Sequence, residues 1–313
     1  MPNTDMPERS SGISPFLPTS APSSFTSNLI GAGFFLFRFP FIVCYGIVYF
    51  LVLDHLPLPQ FLRKLLLWVL LGFPGIWWVD LQLDGVKRGS LSQQPASRFP
   101  RERAIIAAQF TSPVDAVYLA AIFDPIFVLS FPNTKKVQRI SLFRAMTNAL
   151  SRPKHPQPAT GLTTLRALVD ANPHRVIAVF PEMTPTNGKG IMPFSPSLLS
   201  SPSYANIFPV SLRYTPADIT TPVPGAWRAF LWNLLSKPTH ALRVRVADGV
   251  ANTTSDDAAG ATDVVDESDL TPDEHKLLDR VAEALARLAR NKRVGLTLND
   301  KAAFVDAWAK KRK

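Results

Sequence analysis

Phe180-Pro181-Glu182-Met183-Thr184-Pro185-Thr186-Asn187-Gly188 follows the apolar run Val176 to Phe180, and this junction decides the fold. Five apolar residues bounded by Asn172-Pro173 on one side and Pro181 on the other read as a short buried strand running into a loop. The same grammar occurs earlier. Arg103 to Ala108 is a second short strand, and Gln109-Phe110-Thr111 leads from it into Ser112-Pro113-Val114-Asp115. There Ser112 is an N-cap, Pro113 fits the first helical position and Asp115 is the acid at the third.

Working outward, Gly161 to Ala171 reads as a helix with Leu162, Leu165, Leu168 and Val169 on one face, ended by Asn172 and Pro173. Ile207 to Leu212 and Leu242 to Val246 read as further strands. Strands alternating with helices predict an α/β domain with a mostly parallel central sheet flanked by helices, over residues 83–250. Residues 251–270 are polar and acidic and read as a solvated linker. Thr271-Pro272-Asp273-Glu274 then opens a helix with a capping box, carrying Leu277, Leu278, Val281, Leu285 and Leu288 on the face that docks. Residues 271–313 are thus C-terminal helices ending in a basic tail, Lys310 to Lys313.

The N-terminal part differs in kind. Residues 1–28 are rich in Ser, Pro and Thr and predict a disordered tail. Residues 29–82 hold two apolar runs, Leu29 to Leu53 and Leu65 to Val79, which predict a membrane-anchoring helical hairpin. The first would extend about 37 Å as a helix and the second about 22 Å. Arg38 and Pro40 interrupt the first, so a bent or two-part helix is expected. A cleaved leader fits less well, because no basic region precedes the run and no small-residue cleavage site follows it. A very apolar pair of soluble core helices is the remaining alternative. Basic residues accumulate after the second run (Lys87, Arg88, Arg98, Arg101, Arg103), which places the main domain on the cytosolic side.

Composition narrows the chemistry. A net charge of +10 favours anionic partners such as lipid headgroups or the phosphates of coenzyme A. The single cysteine, Cys44, allows no intrachain disulfide, and His55, His155, His174, His240 and His275 show no metal-ligand spacing. No metal and no bound cofactor are expected. Phosphate-binding Gly-rich and nucleophile-elbow motifs are lacking, and basic residues do not interleave with aromatic ones, so nucleic acid is not an expected partner.

The two loops, with Phe208-Pro209-Val210-Ser211 as a third block, resemble the membrane-bound glycerolipid acyltransferase family, whose members acylate glycerol-3-phosphate and lysophospholipids from acyl-CoA. With Arg293 to Leu296 and Asp300 to Phe304 included, the chain is most similar to the fungal lysophosphatidic acid:oleoyl-CoA acyltransferase branch. The resemblance implies an O-acyltransferase of phospholipid biosynthesis, with acyl-CoA as co-substrate and a lysophospholipid as acceptor. It implies a membrane location, on the endoplasmic reticulum or a lipid droplet, with the catalytic domain cytosolic. It also implies a catalytic role for Asp115 and substrate-binding roles for Gln109, Ser112, Glu182, Thr184 and Asn187. Three positions depart from the family pattern: Phe110 stands for the histidine base, Met183 for a glycine, and Pro185 for the arginine that binds the acceptor's phosphate. Lys189 is then the expected substitute cation. The departures also fit a catalytically silent lipid-binding or scaffolding protein that keeps the fold.

Overall fold

A computed structural model describes residues 14–19, 24–86, 93–153, 161–254 and 270–311. Its centre is a nine-stranded sheet with strand order β1-β9-β8-β2-β6-β3-β4-β5, β10 (Val250–Ala251) pairing with β8 off that path. The middle of this sheet is parallel. There β2 (Ile105–Ala108) lies between β6 (Ile177–Val179) and β8 (Asn206–Thr215), with β3 (Ile126–Ser130) beyond β6. β4 (Val137–Ile140) and β5 (Leu162–Thr163) add antiparallel strands on one side. On the other, β9 (Ala241–Val246) runs antiparallel to β8, and β1 (Trp78–Leu83) lies parallel to β9.

Successive residues of a strand face opposite sides, and the parallel strands use both. Ile105 and Ala107 of β2 join one hydrophobic cluster with α5 (Leu165–Ala171) and α7 (Pro272–Ala289). Ile106, Ala108 and Phe110 join the other, with α2 (Gln60–Gly72), α3 (Pro113–Phe123), α4 (Leu142–Asn148) and α6 (Trp227–Leu235). The result is the expected α/β architecture, a sheet between two helical layers.

Sequence and structure part at several places. The expected helix 161–171 begins only at Leu165, because Leu162 and Thr163 pair with β4 and Thr164 caps the helix. β1 lies inside what patterning assigned to the anchor, so the sheet begins before residue 83. It is set by Gly75, whose φ of +81° and close approach to Pro238 O leave no room for a side chain: a Cβ there would stand 2.4 Å from that oxygen. Residues 14–19 of the expected disordered tail are packed against the domain. Of the linker expected over 251–270, residues 255–269 lie outside the described residues, while its start is not solvated chain: Ala251 pairs with Asn206, and Asn252 is buried, donating to Leu199 O and Ser201 O.

α1 (Phe25–Leu51) is one helix continuous through Pro40, not two separate helices. It is the one described helix long and apolar enough to cross a membrane. It forms an antiparallel hairpin with α2: Tyr45 donates to Leu66 O at 2.9 Å, and Phe41 and Tyr45 flank Phe73. From Gly31 to Phe50, α1 also touches the globular domain at intervals along one side. Gly31 meets Ser236, Phe35 meets Trp232, and Phe50 meets Phe143. Arg38 donates to Lys237 O at 2.5 Å and Pro238 O at 2.9 Å, so its charge is bound by carbonyls of the domain. The opposite side of the hairpin, with Leu36, Phe37, Ile47, Leu51 and Phe61, is exposed and apolar, and Trp77 and Trp78 expose rings beyond α2.

Candidate active site

β2 and β6 are parallel neighbours, so the loops that leave them emerge at the same sheet edge. Gln109 continues the β2–β8 ladder, its N–H donating to Val210 O at 3.0 Å. Phe110 N–H donates to Oε1 of Glu182 at 3.4 Å, and Thr186 N–H returns to Phe110 O at 3.0 Å. Oε2 of Glu182 accepts from Met192 N at 3.1 Å. Glu182 therefore ties both loops and the following chain together. It is fully buried, and burial pushes its carboxyl up to about 8 against the opposing hydrogen bonds from Met192 and Phe110.

Asp115 acts first as a cap. It accepts from Thr111 N at 2.6 Å and Ser112 N at 2.8 Å, completing the capping box of α3. Tyr214 OH adds a 2.5 Å hydrogen bond to the other carboxylate oxygen. Burial raises Asp115 to about 6, although these donors favour its ionised form. Ser112 Oγ is committed to Ile219 O at 2.9 Å. In the two loops, two described polar side-chain atoms remain buried without a hydrogen bond: Gln109 Nε2, whose Oε1 accepts from Ser211 Oγ at 3.1 Å, and Thr184 Oγ1.

The three departures from the family pattern acquire physical readings. Phe110 directs its ring into the core, stacked on Phe180 with centroids 4.5 Å apart. Met183 adopts φ of +60°, the left-handed conformation that a glycine enters without strain, so the backbone of the loop is kept while the residue is not. Pro185 leaves its carbonyl to Lys301, whose Nζ donates to it.

Of the expected substrate residues, Gln109, Ser112, Glu182 and Thr184 come together with Asp115 around the joined loops. Asn187 faces the N-terminal segment instead, donating from Nδ2 to Ser14 O at 2.8 Å and Leu17 O at 2.9 Å. Lys189 is exposed. The buried cation is Lys301, on α8 (Leu298–Lys311), which sequence reasoning passed over. Its signal was there: Leu298, Lys301 and Val305 share one helical face and all three are buried. A cavity of about 310 Å³ lies beside Met183 and Met192, between the loop, α7 and the start of α8. Among the described residues no cluster of His, Cys, Asp and Glu could hold a metal.

Over 208 residues the chain is 24% identical to a protein of Schizosaccharomyces pombe (strain 972 / ATCC 24843) named "Putative lysophosphatidic acid:oleoyl-CoA acyltransferase". The chain is similar to a fungal acyltransferase. The alignment takes in 66% of this chain and 63% of the relative's length, so the chain spans less than two thirds of the relative it matches. The relationship supports the fungal acyltransferase resemblance drawn from the two loops. No family model matches the chain, and no solved structure matches it.

Proposed function

We propose that the chain is an acyl-CoA-dependent O-acyltransferase that moves a fatty acyl chain to lysophosphatidic acid or a related lysophospholipid at a membrane surface. The observation that carries this is Glu182 joining Phe110 and Met192, because it makes one site of the two loops on which the resemblance rests. The acceptor hydroxyl attacks the thioester carbonyl, the carbon–sulfur bond breaks, and the hydroxyl proton ends on the departing coenzyme A sulfur. Phe110 cannot relay that proton. Loss of a general base costs about 10² to 10⁴ in rate, so turnover rests mainly on positioning and on stabilising charge. Asp115, held near neutrality by burial, is the nearest group able to accept a proton, through Thr111 or Tyr214, both bonded to it.

The membrane we assign is cytosol-facing, endoplasmic reticulum or lipid droplet. α1 lies along the domain, so the exposed apolar side of the hairpin enters one leaflet with the domain beside it.

Purified, detergent-solubilised protein is given lysophosphatidic acid and oleoyl-CoA, and thiol release and phosphatidic acid are followed. Product from the wild type, lost in Asp115→Asn and Glu182→Gln proteins that remain folded, supports the enzyme. No wild-type product, with product appearing in Phe110→His, supports the silent lipid-binding protein instead.

A further inference from the structure

Lys301 is fully buried, yet one neutral oxygen, Pro185 O, is its hydrogen-bond partner among the described residues. An ammonium carries three donors. Glu182 is the one carboxylate that acts on it appreciably, without approaching to ion-pair distance, and burial lowers Lys301 to about 7. At that value the amine exchanges between the neutral form, which burial favours, and the ammonium, which an anion brought to it would hold.

What covers Lys301 is Phe16. Its ring centroid lies 5.7 Å from Nζ, and the ring packs among Met192, Val294, Leu296 and Phe304. Phe16 belongs to Ser14-Pro15-Phe16-Leu17-Pro18-Thr19, which has no helix or strand of its own. Asn187 holds this segment through its N–H to Pro15 O at 2.8 Å and its side chain to Ser14 O and Leu17 O, and Thr19 bonds Ala217 O at 2.7 Å. A few hydrogen bonds and one ring thus seat this segment among aliphatic and aromatic side chains, with Lys301 beside the ring.

We infer that the slot filled by Phe16 is a binding site for a single aliphatic chain ending in an anionic group, that Lys301 is the cation which receives the anion, and that residues 14–19 occupy the slot until such a ligand displaces them. The slot adjoins the candidate active site, since Met192 lines it while its N–H bonds Glu182. Assigning the ligand to the reaction rests on the acyltransferase reading. Lysophosphatidate carries the required chemistry directly, whereas in acyl-CoA the chain ends in a neutral thioester and the phosphates lie a pantetheine arm away; the segment must yield for either.

The test measures binding by the full chain in detergent, by equilibrium dialysis, of oleoyl lysophosphatidate, oleoyl-CoA and uncharged monooleoylglycerol. Replacing the charge in Lys301→Met weakens the true anionic ligand about tenfold or more and leaves monooleoylglycerol unchanged, as expected for loss of one charged hydrogen bond. Removing the competing ring in Phe16→Ala tightens binding about fivefold. In the wild type, ligand speeds chymotryptic cleavage at Phe16–Leu17, read by N-terminal sequencing, which needs no variant to fold. Both anions binding Lys301→Met as well as wild type, or a Phe16–Leu17 bond no more exposed with ligand than without, overturns the inference. Product formation with an indifferent Lys301 leaves the acyltransferase standing and the slot refuted. Binding without product does the reverse.

Discussion

Phe110 reaches Glu182, 72 residues later, through its backbone N–H at 3.4 Å and not through its side chain. The bond that joins the two loops is therefore indifferent to what residue 110 is, and the ring is free to stack on Phe180 in the core. An imidazole put there loses apolar contact and buries a ring nitrogen without a partner. Phe110→His is expected to cost about 1–3 kcal/mol, measured as a lower denaturant midpoint, with no gain in turnover.

Asp115 answers to four buried donors: Thr111 N, Thr111 Oγ1, Ser112 N and Tyr214 OH. Asp115→Ala strands all of them and removes the capping box, so a loss of about 3 kcal/mol or more is expected. Tyr214→Phe deletes one donor with its hydrogen bond and should cost only about 1 kcal/mol. Urea unfolding of the pair checks the order; equal losses would show that the cap is not the main role of Asp115.

Glu182 titrates in the folded chain at about 8, above its ordinary 4.5. The folded state then holds a proton that the unfolded chain has already released, so this group's contribution falls as pH rises from about 4.5 to about 8. Lys301, lowered to about 7 from 10.5, acts oppositely between those values, the contribution rising with pH. Glu182→Gln removes the first effect. Melting temperatures at pH 5, 6.5 and 8 should show the variant gaining on the wild type with each step, and a constant difference would refute the shift.

Met183 sits at φ of +60°. A left-handed non-glycine residue costs roughly 1–2 kcal/mol, part of which a glycine gives back in unfolded-state entropy. Met183→Gly is expected to be neutral or more stable by about 1 kcal/mol, while Met183→Val, β-branched, loses about 2 kcal/mol. Thermal unfolding of the two variants tests the sign.

For α1, lengthwise packing predicts that both ends lie on one side of the membrane. In a Cys44→Ser background, cysteines placed at Ser24 and at Asp54 should both react with a membrane-impermeant maleimide from the same side. Protection of one end alone would mean that the helix crosses.

Local signals were enough for much of this molecule. Ser112-Pro113-Val114-Asp115 and Thr271 to Glu274 specify helix starts through bonds within four residues, and both capping boxes form where patterning placed them. Short apolar runs identified β2, β6 and β8, because a strand buried on both faces needs no other code, and the alternation of Leu242, Val244 and Val246 with arginines identified β9, whose one face is buried. The order of the loops exposed the acyltransferase resemblance. Everything that depends on distant partners required the fold. Arg38 reads as an isolated charge in an apolar helix until the carbonyls of Lys237 and Pro238 receive it. Phe110 reads as a lost base until Phe180 gives its ring a place. Lys301 became the buried cation only when α8 closed over Pro185, while Lys189, nearer in sequence, was left exposed. A cap or a strand is decided by neighbours along the chain; the fate of a buried charge or ring is decided by whichever surface is folded against it.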